Sequence, residues 1–173
     1  MSRRWCGAAL VWALGLVMPA HAAPTTNNFL KVQLYPVARC LLRRDAALQL
    51  RAASDLLRKQ GYRIKAWDCY RPHHVQVMMW DAFPRRGYVA PPQPGSVHNR
   101  GGALDVSLTD LDGKDVEVPT DFDDFTTRAN HRQVLRDAFE AAGFTGIRSE
   151  WWHFEAKDAR KHAVLDVPLT AVP

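Results

Sequence analysis

The chain has no internal repeat and no low-complexity tract. Repeat architectures and long disordered polar segments are therefore excluded. It also lacks any clustering of Lys and Arg with aromatic platforms. Its basic residues are spread along the whole length, which excludes a nucleic-acid-binding stripe despite a formal net charge of +5. No apolar run is long enough to span a bilayer comfortably; the longest, Trp5 to Met18, falls short of what a membrane helix needs. Cysteine is scarce, with three residues, and only Cys40 and Cys69 lie beyond the apolar start. What remains is ordinary for a soluble globular protein: 173 residues, 47% hydrophobic and 24% charged, enough for one domain with one substantial core.

The first 22 residues read as a secretory signal. Arg3 and Arg4 form a positive start, the apolar run follows, and Ala20-His21-Ala22 is a small-x-small cleavage site. A mature chain beginning near Ala23, exported to the periplasm or secreted, is expected, and its charge falls from +5 to +3. The competing reading is an uncleaved anchor. An exporting compartment permits Cys40 and Cys69 to pair; two separate buried thiols are the equal alternative.

The pattern from residue 45 onward mixes helices and strands. Asp45 to Gln60 has Ala46, Leu50, Ala53 and Leu57 on one face and Gly61 as its stop. Tyr62 to Cys69 alternates as a strand. Pro72 suits the first position of a helix running to about Phe83, and the Pro- and Gly-rich stretch from Pro84 to Val97 is a loop. Gly102 to Leu108 is a strand with Leu104, Val106 and Leu108 on one face and Asp105 on the other. Asp112-Gly113 is a hairpin turn, Asn130 caps a helix ending at Gly143, and Phe144 to Glu155 is extended. Strands that adjoin through turns, without regular strand–helix alternation, predict a single α+β domain over residues 23–173 with a mostly antiparallel sheet.

Two segments carry the chemistry, Ser96-Val-His98-Asn-Arg-Gly-Gly-Ala-Leu-Asp105 and Glu150-Trp-Trp-His153. A catalytic zinc takes three protein ligands and leaves one position for water. His98, Asp105 and His153 fill the three, and Glu150 is left as a general base. Asp105 sits on the polar face of an otherwise apolar strand, where a carboxylate is costly unless paired or bound to a cation. Glu150 and His153, three apart, would point to opposite faces of a flat strand, so Glu150 belongs in the turn entering it. Each residue alone is more often a surface histidine or a core tryptophan; the combination points to metal.

These segments resemble the SxHxxGxAxD and ExxWH motifs of zinc D-Ala-D-Ala metallopeptidases, the fold group shared with lysostaphin-type enzymes. Trp67-Asp68-Cys69-Tyr70-Arg71-Pro72 is similar to the WDxYRP signature of the D-alanyl-D-alanine dipeptidase branch, as are Asn28-Phe29 and Phe122-Asp123-Asp124-Phe125. The resemblance runs from about Thr25 to Leu169. It implies one zinc per chain on His98, Asp105 and His153. Glu150 would act as general base on the zinc-bound water and then as proton donor. Arg71 would stabilise the oxyanion, Ser96 would help hold the substrate carboxylate and Asp123 its ammonium. A salt bridge of Arg71 to Asp68 and a turn role for Asp123 are the bland alternatives.

The implied activity is an exported zinc dipeptidase hydrolysing D-Ala-D-Ala. A D,D-carboxypeptidase or endopeptidase on cell-wall peptides and a non-catalytic zinc-binding module are the alternatives; retention of Glu150 speaks against the last. Two features depart from the family. Ala23-Pro24-Thr25 stands where a tyrosine-bearing segment is usual, and Arg128 leads almost directly to Asn130. His73, His74, His131 and His162 match no motif position and read as surface or helix-packing residues.

Overall fold

A computed structural model of the chain describes residues 10–12, 33–37, 39–116 and 129–171. Its elements are β1 (Leu10–Trp12), β2 (Leu41–Arg43), α1 (Arg44–Arg58), β3 (Tyr62–Asp68), α2 (His73–Ala82), β4 (Ala103–Asp110), α3 (Ala129–Ala141), β5 (Phe144–Gly146) and β6 (His153–Ala156). Short 3-10 helices cover His98–Arg100, Ala159–Lys161 and Leu169–Ala171. Strands β3, β4, β6 and β5 form a four-stranded sheet in that order, antiparallel throughout. The expected α+β architecture is the observed one. β1, inside the stretch read as a signal, pairs antiparallel with β2. Among the described residues no helix is long and apolar enough to cross a membrane.

The sheet has two unlike faces because its period is two. Ile64 and Ala66 stand opposite Leu108 and Val106, and Leu104 stands opposite Phe154. These residues are buried with Ala46, Leu50, Ala53 and Leu57 of α1 and Leu135 and Phe139 of α3. Leu50 and Leu57 are fully buried, each contributing about 1.5–3 kcal/mol by removal from water. The helices cover this face. The other face carries Lys65, Ser107, Asp105, His153 and Glu155.

Local details differ from the sequence pattern in three places. Pro72 is the N-cap of α2, with extended backbone, rather than its first helical residue; the residue before a helix must leave the helical region, and φ fixed near −65° serves there equally. Asn130 lies inside α3, which begins at Ala129, instead of capping it. Phe144 to Glu155 is not one extended run: two strands are separated by turns, and Trp151 and Trp152 occupy the second turn.

A second apolar cluster gathers Tyr35, Leu41, Tyr70, Val75, Met79, Val89 and Leu169. Cys40 and Cys69, both in the main core and next in sequence to Leu41 and Tyr70 of this cluster, form a disulfide with their Cα atoms 5.2 Å apart. The Tyr70 hydroxyl accepts the Val167 N–H at 2.8 Å, which ties the C-terminal segment to the same place.

Candidate metal centre and active site

Register decides the centre of the site. Asp105 on β4 is the direct cross-strand partner of His153 on β6, on the face away from the helices. His98 arrives from the 3-10 helix His98–Arg100, and the chain between it and β4 turns through Gly101, whose φ of 67° few other residues adopt readily. The Nδ1 of His153 is 2.9 Å from Asp105 Oδ1 and 3.2 Å from His98 Nε2, and His98 Nε2 is 3.4 Å from Asp105 Oδ1. Both histidines are buried, and Asp105 is nearly so. The three side chains form the candidate metal group among the described residues.

The outer nitrogens of both rings are committed. His98 Nδ1 donates to the Cys69 carbonyl at 2.7 Å, which leaves Nε2 as the lone-pair nitrogen. His153 Nε2 faces Glu155 Oε1 at 3.4 Å, turning Nδ1 inward. Two imidazole nitrogens and a carboxylate oxygen thus face one another, an arrangement that suits a cation at its centre. Ligand atoms at about 2.0–2.1 Å in a tetrahedron stand about 3.3–3.4 Å apart, close to the spacing observed. The residues present fit zinc. Without a metal, a proton serves instead: burial works to lower the His153 pKa, but hydrogen bonds to Asp105 and Glu155 and their charges prevail and push it up to about 9. Burial works to raise Asp105, yet His98 and His153 hold it well below the usual carboxylate range.

Glu150 sits in the turn entering β6, as its spacing from His153 requires, and the His153 N–H donates to its carbonyl at 3.2 Å. Its Oε2 is 3.8 Å from His153 Nδ1, and the side chain is partly exposed. Burial raises its pKa, with His153 opposing and Asp105 adding to the rise. Glu150 is therefore a partly exposed carboxylate of raised basicity beside the cluster.

Arg71 reaches the same face through a bulge. Ala66 pairs with Val106, but Asp68 pairs with Asp105, so Trp67 is an extra residue in β3. Without it Asp68 would point into the core. With it, Asp68 Oδ2 receives Arg71 Nε at 3.0 Å and Nη2 at 2.6 Å, while Gln76 Oε1 receives Nη1 at 2.7 Å. The Tyr35 hydroxyl donates to Asp68 Oδ1 at 2.9 Å. The salt bridge to Asp68 is thus present, and it holds a guanidinium whose charge acts on both Asp105 and Glu150.

Ser96 Oγ accepts the His98 N–H at 3.2 Å, so it braces the turn that carries a ligand. Asn28, Phe29 and Asp123 lie outside the described residues. The four other histidines among the described residues lie elsewhere: His73 contacts the Pro92 carbonyl, His74 pairs with Asp166, His131 packs on Tyr62 and His162 is near Asp45. The pattern of residue types did not single out Tyr35, Gln76 or Glu155. Glu155 had one visible signal, its position two residues beyond His153 on a strand; Tyr35 and Gln76 had none.

A family model described as D-ala-D-ala dipeptidase, Peptidase M15, matches residues 20–170. The D-alanyl-D-alanine dipeptidase of Escherichia coli (strain K12) is 33% identical over 151 residues, covering 80% of this chain and 78% of that protein. The D-alanyl-D-alanine dipeptidase of Enterococcus faecium is 31% identical over 170 residues, covering 78% of this chain and 83% of that protein. The solved structure of the LdcB LD-carboxypeptidase shares the fold, with a TM-score of 0.52 and 21% identity over 70% of this chain and 63% of that one. The chain is a peptidase and belongs to the Peptidase M15 family of D-ala-D-ala dipeptidases.

Proposed function

We propose that this peptidase is a zinc enzyme that hydrolyses the D-Ala-D-Ala dipeptide. One observation carries the reading: His98 Nε2, His153 Nδ1 and Asp105 Oδ1 converge, and the Glu150 carboxylate stands 3.8 Å from His153 Nδ1 without belonging to the triangle. A purely structural centre needs no free carboxylate beside it. The names of the E. coli and E. faecium relatives support the substrate.

His98, Asp105 and His153 would hold the ion, which when bound supplies Lewis acidity toward water and toward a carbonyl. Glu150 accepts the proton of the attacking water and returns it to the departing amine. Arg71 presents its remaining N–H groups to the oxygen that gains charge. Asp68, Gln76 and Tyr35 fix its plane, so little reorganisation is needed as that charge develops. Ser96 and Asp123 are assigned to the carboxylate and ammonium ends of the substrate.

The compartment proposed is the periplasm or the exterior, after removal of residues 1–22. The Cys40–Cys69 disulfide supports an oxidising location.

The test is turnover of D-Ala-D-Ala by purified protein, before and after removal of metal by a chelator and after readdition of zinc. Loss on chelation and recovery with zinc are expected. A zinc-loaded protein that leaves D-Ala-D-Ala intact refutes the substrate assignment.

A further inference from the structure

Glu155 lies two residues beyond His153 on β6, so both side chains leave the same face of the sheet. Its Oε1 is 3.4 Å from His153 Nε2, the ring nitrogen turned away from the cluster. Arg160 grips the same carboxylate as a fork, Nε to Oε2 at 2.8 Å and Nη2 to Oε1 at 2.6 Å. The Glu155 side chain is 14% exposed and that of Arg160 72%, so the cation closes over the anion from solvent.

The backbone is built to deliver Arg160 to this spot. After β6 the chain reverses at Asp158, which takes a φ of 61°, and enters the 3-10 helix Ala159–Lys161. That helix passes so close to the start of β4 that a Cβ on Gly102 would stand 2.4 Å from the Ala159 Cβ. The Ala156 N–H donates to the Gly102 carbonyl at 2.7 Å, fixing the approach. Gly102 thus admits the helix that carries Arg160, on the same linker that joins His98 to Asp105.

We propose that the Glu155–Arg160 pair is a positioning element for the metal centre. Glu155 accepts the Nε2–H of His153, so Nδ1 is the nitrogen that keeps a lone pair, and the ring plane stays aimed at Asp105 and His98. The Cys69 carbonyl does the same for His98. Glu155 is neither ligand nor base: its oxygens face Nε2 and Arg160, while the cluster-facing nitrogen is Nδ1. A carboxylate in that position raises the basicity of a ligating imidazole and fixes its tautomer. The inference rests on His153 being a metal ligand.

The experiment measures zinc affinity of the full chain by chelator competition for the native protein and for Glu155→Leu, Glu155→Gln, Arg160→Leu and His153→Ala. The visible absorption of the cobalt-loaded forms and the thermal midpoint of each metal-free form are recorded alongside. Glu155→Leu should weaken zinc by about 10–100-fold and shift the cobalt spectrum, because the ring is no longer fixed. Glu155→Gln, which keeps an acceptor oxygen, should recover part of the loss, and Arg160→Leu should show a smaller loss of the same kind. A merely structural role would lower the thermal midpoint and leave affinity and spectrum unmoved. Native affinity and spectrum in Glu155→Leu, with zinc lost in His153→Ala, overturn the positioning role alone. Zinc retained in His153→Ala overturns the ligand assignment and this proposal with it. Should Glu155→Leu not fold, the exposed Arg160→Leu decides, and native affinity and spectrum there overturn the proposal.

Discussion

The Nδ1 of His98 lies 2.7 Å from the carbonyl oxygen of Cys69, and Cys69 is bonded through its sulfur to Cys40. A candidate metal ligand is therefore oriented by a backbone group that a covalent link holds in place. The same short segment supplies Asp68, whose Oδ1 accepts the Cys69 N–H at 2.8 Å and whose Oδ2 holds Arg71. Cation site and guanidinium are two products of one anchored stretch.

The disulfide should carry a sizeable part of the stability. It closes a loop with a sequence separation of 29. On the chain-entropy model a loop of that size stabilises by about 3–4 kcal/mol. Cys40→Ala with Cys69→Ala should lower the unfolding free energy in urea by that amount. Unchanged stability would show that the bridge does not constrain the unfolded chain.

The metal-free chain should lose stability as pH rises. His153 is pushed up to about 9 in the fold against an ordinary 6.5. A raised pKa contributes stability that is fully present below the unfolded value and lost as pH climbs through the folded one. Denaturant unfolding of chelator-treated protein between those limits measures it. Zinc must displace the same proton, so its affinity should rise by about tenfold per pH unit across this window. A pH-independent zinc affinity would contradict this.

Glu150→Gln should keep fold and zinc but lose turnover. The side chain is partly exposed and not in the ligand triangle, so its amide costs little structure. Loss of a positioned base typically costs about 10²–10⁴-fold in rate. Metal content and kcat on one preparation check both halves; native kcat in a zinc-loaded variant would remove Glu150 from the chemistry.

Arg71→Lys should lower kcat by roughly a hundred- to a thousandfold with a smaller change in KM. Lysine cannot bond Asp68 and Gln76 together and still present a planar donor pair. Steady-state kinetics separate the two parameters. A variant changed in KM alone would make Arg71 a binding group.

Substrate length should be read at the ammonium end. If Asp123 pairs the free amine of D-Ala-D-Ala, N-acetylation leaves that carboxylate without its cation, and discrimination of about a thousandfold or more in kcat/KM is expected. The comparison uses D-Ala-D-Ala, its N-acetyl form and a muropeptide pentapeptide. Similar values for all three would favour a carboxypeptidase. Asp123→Asn should weaken the free dipeptide selectively.

The sequence by itself determined the parts that depend on local pattern. The apolar period of Ala46, Leu50, Ala53 and Leu57 made α1, and the alternation about Leu104, Val106 and Leu108 put Asp105 on the opposite face. Residue types and spacing singled out His98, Asp105, His153 and Glu150, because metal chemistry restricts which side chains serve, whereas Arg71 stood out only through the resemblance of its segment to the WDxYRP signature. Tertiary structure decided what depends on register and close approach. The pairing of β4 with β6 sets Asp105 against His153, and the extra Trp67 turns Asp68 toward Arg71. Pairing of Cys40 with Cys69, left open by spacing alone, follows from two backbone segments brought to a Cα separation of 5.2 Å. Tyr35 meets Asp68 across 33 positions, and Arg160 reaches Glu155 only because Gly102 carries no side chain to keep its helix away. Hydrogen bonds between distant residues leave no periodic trace in a chain; they exist only once packing has fixed which backbones lie together.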